Sequence, residues 1–309
     1  MSAAGPADPD VAARVGRLAG AAVHAVHRLG GQHQWGHYRV VLADGRLAFA
    51  KVAVARLSAD LDGVFEAEAR GLRWLADAGT VPVPDVLGWD ATAIAVSWLP
   101  GEAPSAAAAE RFGRDLAGLH LAGSAGFGAP WPGFIASLPL GSGAGSWAQS
   151  GSGGEAGDSW PQWYGRERLL PYARHGLDAG TLHASDMQLI ELVASRASAL
   201  AGPAEPPSRI HGDCWSGNLL WSGGRGWLID PAAHGGHRES DLAMLALFGA
   251  PYLDRIMAAY QEIAPLAAGW QARVPLHQLH PLLVHVCLFG AAYRDAALGS
   301  ARSALAARE

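Results

Sequence analysis

The segment 211–230 constrains the fold of this chain more than any other part of its sequence. It reads His-Gly-Asp-Cys-Trp-Ser-Gly-Asn over 211–218 and Trp-Leu-Ile-Asp over 227–230. Strand-like residues flank the glycine pair at 223–224, and a glycine pair between two such runs is typical of a β-hairpin turn. The segment therefore predicts a loop rich in polar groups, a short hairpin, and a strand that ends in a carboxylate.

The polar groups of this segment are those that phosphoryl transfer from ATP requires. One carboxylate accepts the proton of the attacking hydroxyl, an amide oxygen five residues later binds Mg²⁺, and a second carboxylate holds the metal at the phosphates. Asp213, Asn218 and Asp230 follow in that order. The alternative is a turn whose side chains only hydrogen-bond to backbone groups. The strand that ends in Asp230 favours a catalytic base with two metal ligands.

Two residue types that each occur once add to this interpretation. Lys51 is the only lysine among 23 basic residues, and Asn218 is the only asparagine. An Asp-Gly pair at 44–45 between alternating runs predicts a hairpin with Lys51 on its second strand. In kinases a strand lysine holds the ATP phosphates, and the forked guanidinium of arginine does not replace its compact ammonium group. An exposed surface charge is the alternative for Lys51.

The lysine of such a site is held by a helix glutamate, and the helix predicted over 64–78 offers two. Glu68 lies four residues before Leu72 and shares the apolar face of the helix. Glu66 lies four residues before an arginine, which is typical of a pair on the solvent side. We therefore predict Glu68 as the partner of Lys51.

The order of the predicted elements indicates an α+β fold with two lobes. A helix-like apolar repeat occupies residues 1 to about 30. The predicted strands are 38–42, 47–54 and 93–98, and the predicted long helices are 105–121, 181–200, 252–264 and 276–297. We expect a small ATP-binding lobe over 1–99, with an antiparallel sheet and one main helix, and a larger helical lobe over 100–309. The Gly/Ser-rich run 141–157 predicts a flexible loop.

The composition excludes several classes of protein. A formal net charge of -5 over 309 residues provides no basic surface of the kind that nucleic-acid binding needs. No stretch reaches the roughly 18–20 uninterrupted apolar residues of a membrane span, and the N-terminus has no signal pattern. The two cysteines, Cys214 and Cys287, are too few for a disulfide framework or a cysteine zinc site. We expect a cytoplasmic protein without nucleic-acid or membrane partners.

Several motifs together resemble the fructosamine kinase (ketosamine 3-kinase) family, within the larger aminoglycoside and choline kinase-like group. The most specific are HGDCWSGN at 211–218 and IDPAAHGGHRESDLAMLALFG at 229–249. The supporting motifs are FEAEARGL at 65–72, VPVPDVL at 81–87, LAGLH at 116–120 and FIASLPL at 134–140. They extend over most of the chain in the order of the family.

The resemblance implies a protein-kinase-like bilobal fold and a phosphotransferase with an alcohol group as acceptor. The expected reaction uses ATP and Mg²⁺ to phosphorylate the 3-hydroxyl of a ketosamine such as a fructosamine or a ribulosamine, free or protein-bound. Phosphorylation leads to loss of the sugar adduct, so the implied role is deglycation. We expect the protein to be a monomer.

The resemblance also assigns roles to individual residues. Asp213 corresponds to the catalytic base, Asn218 and Asp230 to the magnesium ligands, and Lys51 and Glu68 to the pair that positions ATP. Further ATP contacts are expected at Ser97 and Leu99 in the segment that binds adenine, and at Gly30 and Gly31 in the phosphate loop. His211 and Asp241 are expected to support the catalytic loop, and Trp215, His237 and His285 to recognise the sugar.

Alternatives remain open at several points. An aromatic face at Trp215 suits the C–H face of a sugar, but Trp215 and His285 are also compatible with core positions. The phosphate loop departs from the family at His33 and Trp35. Aminoglycosides, choline and homoserine are other acceptors of enzymes with this fold. A non-catalytic nucleotide-binding protein and a hydrolase with a His–Asp pair are the remaining alternatives.

Overall fold

The computed structural model describes residues 9–32, 34–55, 57, 61–140 and 159–307. The predicted loop 141–157 and the phosphate-loop residue His33 lie outside these described residues. Within them, a five-stranded sheet and two helices precede residue 100, and eight further helices follow it.

The first lobe is built on an antiparallel sheet with the strand order β1-β2-β3-β5-β4. Its strands are β1 (Val23–Gln32), β2 (Trp35–Leu42), β3 (Leu47–Ala53), β4 (Val86–Asp90) and β5 (Ala93–Ser97). The predicted Asp-Gly hairpin joins β2 to β3, with Val41 paired to Leu47. Lys51 pairs with His37 on one side and Ile94 on the other, so it lies on the middle strand of the sheet.

Two helices, α1 (Pro9–Ala19) and α2 (Val64–Ala76), cover the two faces of this sheet. Successive side chains of a strand point to opposite faces. Ala48 and Ala50 of β3 therefore pack with α1, whereas Lys51 reaches α2. The bounds of α2 confirm the helix predicted over 64–78. The strand periodicity places Lys51 on the face of the sheet that α2 covers.

The helical prediction is wrong for the residues after Ala19. The apolar repeat does form a helix, but the chain from Val23 onward forms β1, which pairs with β2. β4 is also absent from the predicted elements, and all of its residues are only half-buried. Strand formation here depends on pairing with distant segments, which a local repeat does not show.

The second lobe is mostly helical. Its helices are α3 (Ala106–Leu121), α4 (Trp160–Tyr164), α5 (Leu170–Asp178), α6 (Ala184–Leu200), α7 (Arg238–Leu247), α8 (Leu253–Ile263), α9 (Trp270–Phe289) and α10 (Arg294–Ala306). The helices α3, α6 and α8 confirm three of the predicted ones, whereas α4, α5 and α7 were not predicted. A π-helical turn, Gly165–Leu169, joins α4 to α5.

The helix predicted over 276–297 is wrong at both ends, because α9 begins earlier and a 3₁₀ turn, Gly290–Tyr293, separates it from α10. The apolar periodicity continues through this turn, so the pattern does not show the break. The run Trp270–Ala306 is long and apolar enough to cross a bilayer by length and composition. In the fold, α9 packs on α5, α7 and α10.

Three two-stranded ladders complete the second lobe. They are β6 (Phe134–Ile135) with β7 (Leu138–Pro139), β8 (Ser208–Ile210) with β11 (His234–Gly236), and β9 (Leu219–Ser222) with β10 (Arg225–Leu228). The last ladder is the hairpin predicted around the glycine pair, with Leu228 opposite Leu219. One apolar core, which includes Phe65, Phe112 and Leu228, continues from α2 into the second lobe. The architecture confirms the α+β class.

Candidate active site

A cavity of about 160 Å³ lies between the two lobes. Its lining comes from β2, β3 and α2 on one side, and from the segment 211–230, the β6–β7 hairpin and the end of α9 on the other. The polar residues that line it and were predicted from the motifs are Lys51, Glu68, Asp213, Asn218 and Asp230. We call these five residues the charged wall. The fold therefore gathers the whole predicted phosphoryl-transfer set in one place.

Lys51 links the two lobes through its ammonium group. Its Nζ donates to Glu68 Oε2 at 2.9 Å and to Asp230 Oδ1 at 2.6 Å. Burial lowers the pKa of the lysine, but the two carboxylates outweigh burial and raise the pKa above its ordinary value. Glu66, by contrast, pairs with Arg70 at 2.6 Å, and both side chains are largely exposed. The structure thus brings Glu68, and not Glu66, to the lysine.

Asp230 follows β10 in an uncommon backbone conformation. Its φ of 51° lies in the left-handed region, where residues other than glycine are rare and often functional. Its side chain is 53% exposed and lines the cavity. The surrounding protein disfavours its charged form, but Lys51 outweighs this effect and keeps the pKa of Asp230 below its ordinary value. The cavity therefore contains an accessible carboxylate that is ionised at neutral pH.

Asp213 and Asn218 are joined at the loop between β8 and β9. The Asn218 Nδ2 group donates to the Asp213 carboxylate Oδ2 at 2.7 Å and to the Asp213 backbone oxygen at 2.9 Å. Because the amide nitrogen is committed to Asp213, the amide oxygen is the atom that remains for a cation. Burial, followed by the nearby charge of Asp230, raises the pKa of Asp213 to about 7. A carboxylate with that pKa is suited to accept a proton near neutral pH.

Asp241 braces this loop from behind. Its carboxylate accepts the backbone N–H of His211 at 2.7 Å and that of Gly212 at 2.9 Å. The same carboxylate lies 3.2 Å from the His120 Nε2 atom, and it is 1% exposed. A buried carboxylate that is shared by two successive backbone N–H groups holds their peptide planes in one orientation.

His211 fixes the other side of the loop. Its Nε2 group donates to the backbone oxygen of Ile229 at 3.0 Å, and its Nδ1 atom accepts the backbone N–H of Asp213 at 3.3 Å. Gly212 has a φ of 80°, and a Cβ there would come within 2.2 Å of the Ala232 oxygen. The residue before the proposed base therefore has to be glycine.

The lining of the cavity also includes Trp215 and His285. Trp215 is 37% exposed, and its ring meets Phe248 edge-on at 5.7 Å. The ring lies over Gly217, where an added Cβ would come within 2.2 Å of it. The His285 Nδ1 group donates to the Pro281 oxygen at 2.7 Å, which leaves Nε2 as an acceptor. Burial lowers the pKa of His285, so the ring is neutral.

Sequence reasoning missed Trp131 and Phe289, which also line the cavity. The aromatic wall consists of Trp131, Phe134, Trp215, His285 and Phe289. The resemblance pointed to Trp215 and His285 and the motif at 134–140 to Phe134, but no spacing relates Trp131 and Phe289 to them. His37 and Trp35 also line the cavity from β2, and Trp35 packs edge-on against Phe65 at 5.4 Å.

His237 does not line the cavity, contrary to what the resemblance implies for it. It is 3% exposed and begins α7 by accepting the Glu239 N–H on its Nδ1 atom at 3.2 Å. Its ring packs against Trp160 and His277. Ligand atoms of His237, Glu239 and His277 lie within 4.8 Å of one another. The guanidinium of Arg273 already holds the carboxylate of Glu239, so this cluster has the character of a structural ion pair.

The residues expected to contact ATP outside the charged wall also lie beyond this cavity. They are Ser97, Leu99, Gly30 and Gly31. Ser97 is held by Asp85, because the backbone oxygen of Asp85 accepts the Ser97 N–H at 2.8 Å and the Ser97 Oγ accepts the Asp85 N–H at 2.9 Å. The two glycines belong to the β1–β2 hairpin. The roles of all four toward ATP stay predictions.

Comparison with known proteins agrees with this arrangement. The family model described as fructosamine kinase matches residues 21–307. A chain named "Probable ketoamine kinase" from Synechocystis sp. is 31% identical over 241 residues, which is 76% of this chain and 76% of its own length. The chloroplastic protein-ribulosamine 3-kinase of Arabidopsis thaliana is 30% identical over 248 residues, covering 76% of this chain and 70% of its own.

Solved structures show the same relationship. A candidate fructosamine-3-kinase from Thermobifida fusca superposes with a TM-score of 0.87 and 52% identity, over 96% of this chain and 98% of its own. A choline kinase from Streptococcus pneumoniae, at 16% identity, shares the fold with a TM-score of 0.63 over 97% and 98% of the two chains. These likenesses confirm the protein-kinase-like fold. This ATP-binding phosphotransferase, which acts on an alcohol group, belongs to the fructosamine kinase family.

Proposed function

We propose that this enzyme uses Mg-ATP to phosphorylate the 3-hydroxyl of a ketosamine, a fructosamine or ribulosamine, and thereby initiates deglycation. The observation that carries the proposal is that Asp213, a member of the charged wall, lines the same cavity as the aromatic wall. A hydroxyl that rests on the aromatic wall can meet the base on one side and the phosphates on the other.

Asp213 is the base of the proposed reaction. Its carboxylate accepts the proton of the substrate hydroxyl while the hydroxyl oxygen forms a bond to the γ-phosphorus and the bond to ADP breaks. Lys51 provides a fixed positive charge for the phosphates, and Glu68 holds that charge in place. Asp241 and His211 keep the backbone of the loop, and so the base, in one position.

The donor set near the base fits a magnesium ion. Asn218 offers an amide oxygen and Asp230 an ionised carboxylate, and Mg²⁺ prefers oxygen ligands of these kinds. We therefore propose that these two residues hold the metal. When bound, Mg²⁺ neutralises negative charge on the phosphates. In this structure Lys51 contacts Glu68 and Asp230. With Mg-ATP bound, the phosphates would take the place of Asp230 beside the ammonium group.

The chemistry of the aromatic wall favours a sugar over a polycationic acceptor. Among the residues that the structure describes, the acidic side chains that line the cavity are Glu68, Asp213 and Asp230, and all three belong to the charged wall. An aminoglycoside carries several ammonium groups, which need carboxylates outside the transfer machinery. Aromatic faces suit the C–H face of a sugar, and the Nε2 acceptor of His285 suits a hydroxyl. The relative from Arabidopsis, named as a ribulosamine 3-kinase, supports the same acceptor class.

An acceptor panel tests the proposal. ADP formation should be stimulated by fructose-, ribulose- or erythrulose-amine adducts in the presence of Mg²⁺, and not by choline, homoserine or an aminoglycoside. Free and protein-bound adducts should be compared in the same assay. Stimulation by choline or an aminoglycoside alone would replace the proposed acceptor, and ADP formation that none of the acceptors stimulates would contradict the proposal.

We propose a monomer that works in the cytoplasm, with the nucleotide lobe over 1–99 and the helical lobe over 100–309. The division falls between the end of β5 and the start of α3. Sedimentation of the full chain tests the monomer, and limited proteolysis tests the division.

A further inference from the structure

A second, much smaller cavity lies behind the loop that carries the base. Its volume is about 20 Å³, which is room for about one water molecule or one monatomic ion. Its lining includes Gly212 and Asp241 from the catalytic region, Arg168 from the π-helical turn, and the imidazoles of His234 and His280. The two imidazoles and the guanidinium do not belong to the site proposed above.

Arg168 is the unusual member of this lining. It is 3% exposed, and its guanidinium lies over the Trp163 ring at 4.3 Å. Its NH1 group donates to the backbone oxygen of Glu167 at 3.2 Å, whereas its Nε has no hydrogen-bond partner. Within the described ranges, no carboxylate lies within 4.0 Å of this guanidinium. Burial lowers the pKa of Arg168 to about 10 and outweighs the charge of Glu167, which favours the guanidinium, so an anionic partner in contact with the guanidinium would stabilise it.

The neighbouring imidazoles do not supply that partner. The His280 Nε2 atom is buried and has no hydrogen-bond partner. Burial, together with the positive charge of Arg168, lowers the pKa of both His280 and His234, which keeps both rings neutral. His234 donates its Nδ1 proton to the Ala232 oxygen at 2.7 Å. In its Nε2–H tautomer, His280 adds a second unused donor to that of Arg168.

The buried carboxylate in the lining does not neutralise the guanidinium either. Asp241 directs its oxygens at the backbone N–H groups of His211 and Gly212 and at the His120 ring. Its negative charge is thus committed to the catalytic loop. The cavity is left with a cation, unused N–H donors and space for a single small particle.

We propose that this cavity binds one halide ion, chloride under ordinary conditions, against the Arg168 guanidinium. An oxyanion such as phosphate is too large for the volume, and water does not provide the missing charge. The bound ion lies next to His234. The His234 ring packs closely against Gly212, because a Cβ added to Gly212 would lie 2.9 Å from that ring. Halide binding therefore stabilises the part of the fold that supports the catalytic loop.

Thermal unfolding in sodium chloride and in sodium gluconate of equal ionic strength tests the proposal. A ligand that binds only the folded state raises the midpoint. At ten times Kd we expect a rise of about 2 °C in the wild type. Arg168→Gln should lose the difference between the two salts. Arg174→Gln, which changes an exposed arginine on α5, should keep it.

Bromide diffraction makes the test independent of whether Arg168→Gln folds. Crystals of the wild type grown in sodium bromide should show an anomalous peak in the cavity beside Arg168. Equal midpoints in the two salts, or a cavity that contains only water in the bromide crystal, would overturn the proposal.

Discussion

The charged wall and the aromatic wall of the main cavity are organised in opposite ways. Each residue of the charged wall is hydrogen-bonded to another member of it, Lys51 to Glu68 and Asp230, and Asn218 to Asp213. The aromatic wall presents ring faces and edges with few polar atoms. In the proposed function, the transfer machinery is therefore assembled before the substrates bind, and we expect the acceptor to be selected by shape and stacking.

The largest effect is expected from the base. Asp213→Asn keeps the shape of the side chain but removes the proton acceptor, so we expect kcat to fall by roughly 10²–10⁴-fold. The KM for ATP should change little, because Lys51 and Asp230 are intact. Steady-state ADP formation gives both constants.

Asp254→Asn, which changes an acidic residue in the first turn of α8, is the matched control and should behave as wild type. An Asp213→Asn enzyme within threefold of the wild-type kcat would show that this residue is not the base.

A second, smaller effect concerns the only lysine. Lys51→Arg keeps the positive charge, but the forked guanidinium does not fit between Glu68 and Asp230 as the ammonium group does. We expect kcat/KM for ATP to fall by roughly 10–100-fold. The opposite exchange at an exposed site, Arg174→Lys, should leave the constants unchanged. Full activity of Lys51→Arg would mean that composition alone explains the rarity of lysine.

The charged wall also predicts the pH dependence. The pKa of Asp213 is raised to about 7, so the base is mostly protonated at pH 6 and mostly ionised at pH 8. Because this pKa is that of the free enzyme, kcat/KM should increase roughly tenfold from pH 6 to pH 8. Asp230, whose pKa is lowered, stays ionised throughout. A kcat/KM that is already at its plateau at pH 5.5 would contradict the raised pKa.

The smallest of these effects belongs to the aromatic wall. Trp215→Ala removes the exposed ring, and we expect the KM for the ketosamine to rise by roughly fivefold, about 1 kcal/mol, with the KM for ATP unchanged. Trp215→Phe should recover most of the loss. Equal effects on both KM values would indicate that Trp215 supports the whole site and not the acceptor alone.

The two walls also differ in how far the sequence predicts them. Asp213, Asn218 and Asp230 lie in one short segment, and the hydrophobic face of α2 distinguished Glu68 from Glu66. Their chemistry requires fixed residue types at fixed spacings. The charged wall could therefore be assembled from the sequence, apart from its distances and pKa values.

The aromatic wall could be predicted only in part: the resemblance named Trp215 and His285, whereas tertiary packing alone brings Trp131 and Phe289 to them. Trp131 and Phe289 come from distant segments that share no spacing, and only the tertiary fold brings both to the lining of one cavity. The resemblance expects His237 to recognise the sugar, whereas the structure places it outside the lining of this cavity. Its side chain turns into the core to begin α7, and a motif does not reveal which way a side chain turns. The strand β1 escaped prediction for the same reason, since pairing with β2 decides it.

The position of the phosphate in the product tests the central claim most directly. The wild type and Asp213→Asn should be incubated with Mg-ATP and a fructose- or ribulose-amine adduct, and the product identified by two-dimensional ¹H–³¹P NMR. We predict a phosphate on the oxygen of carbon 3, formed by the wild type and lost in Asp213→Asn. A phosphate at another position, or the same product at an equal rate from Asp213→Asn, would contradict the account.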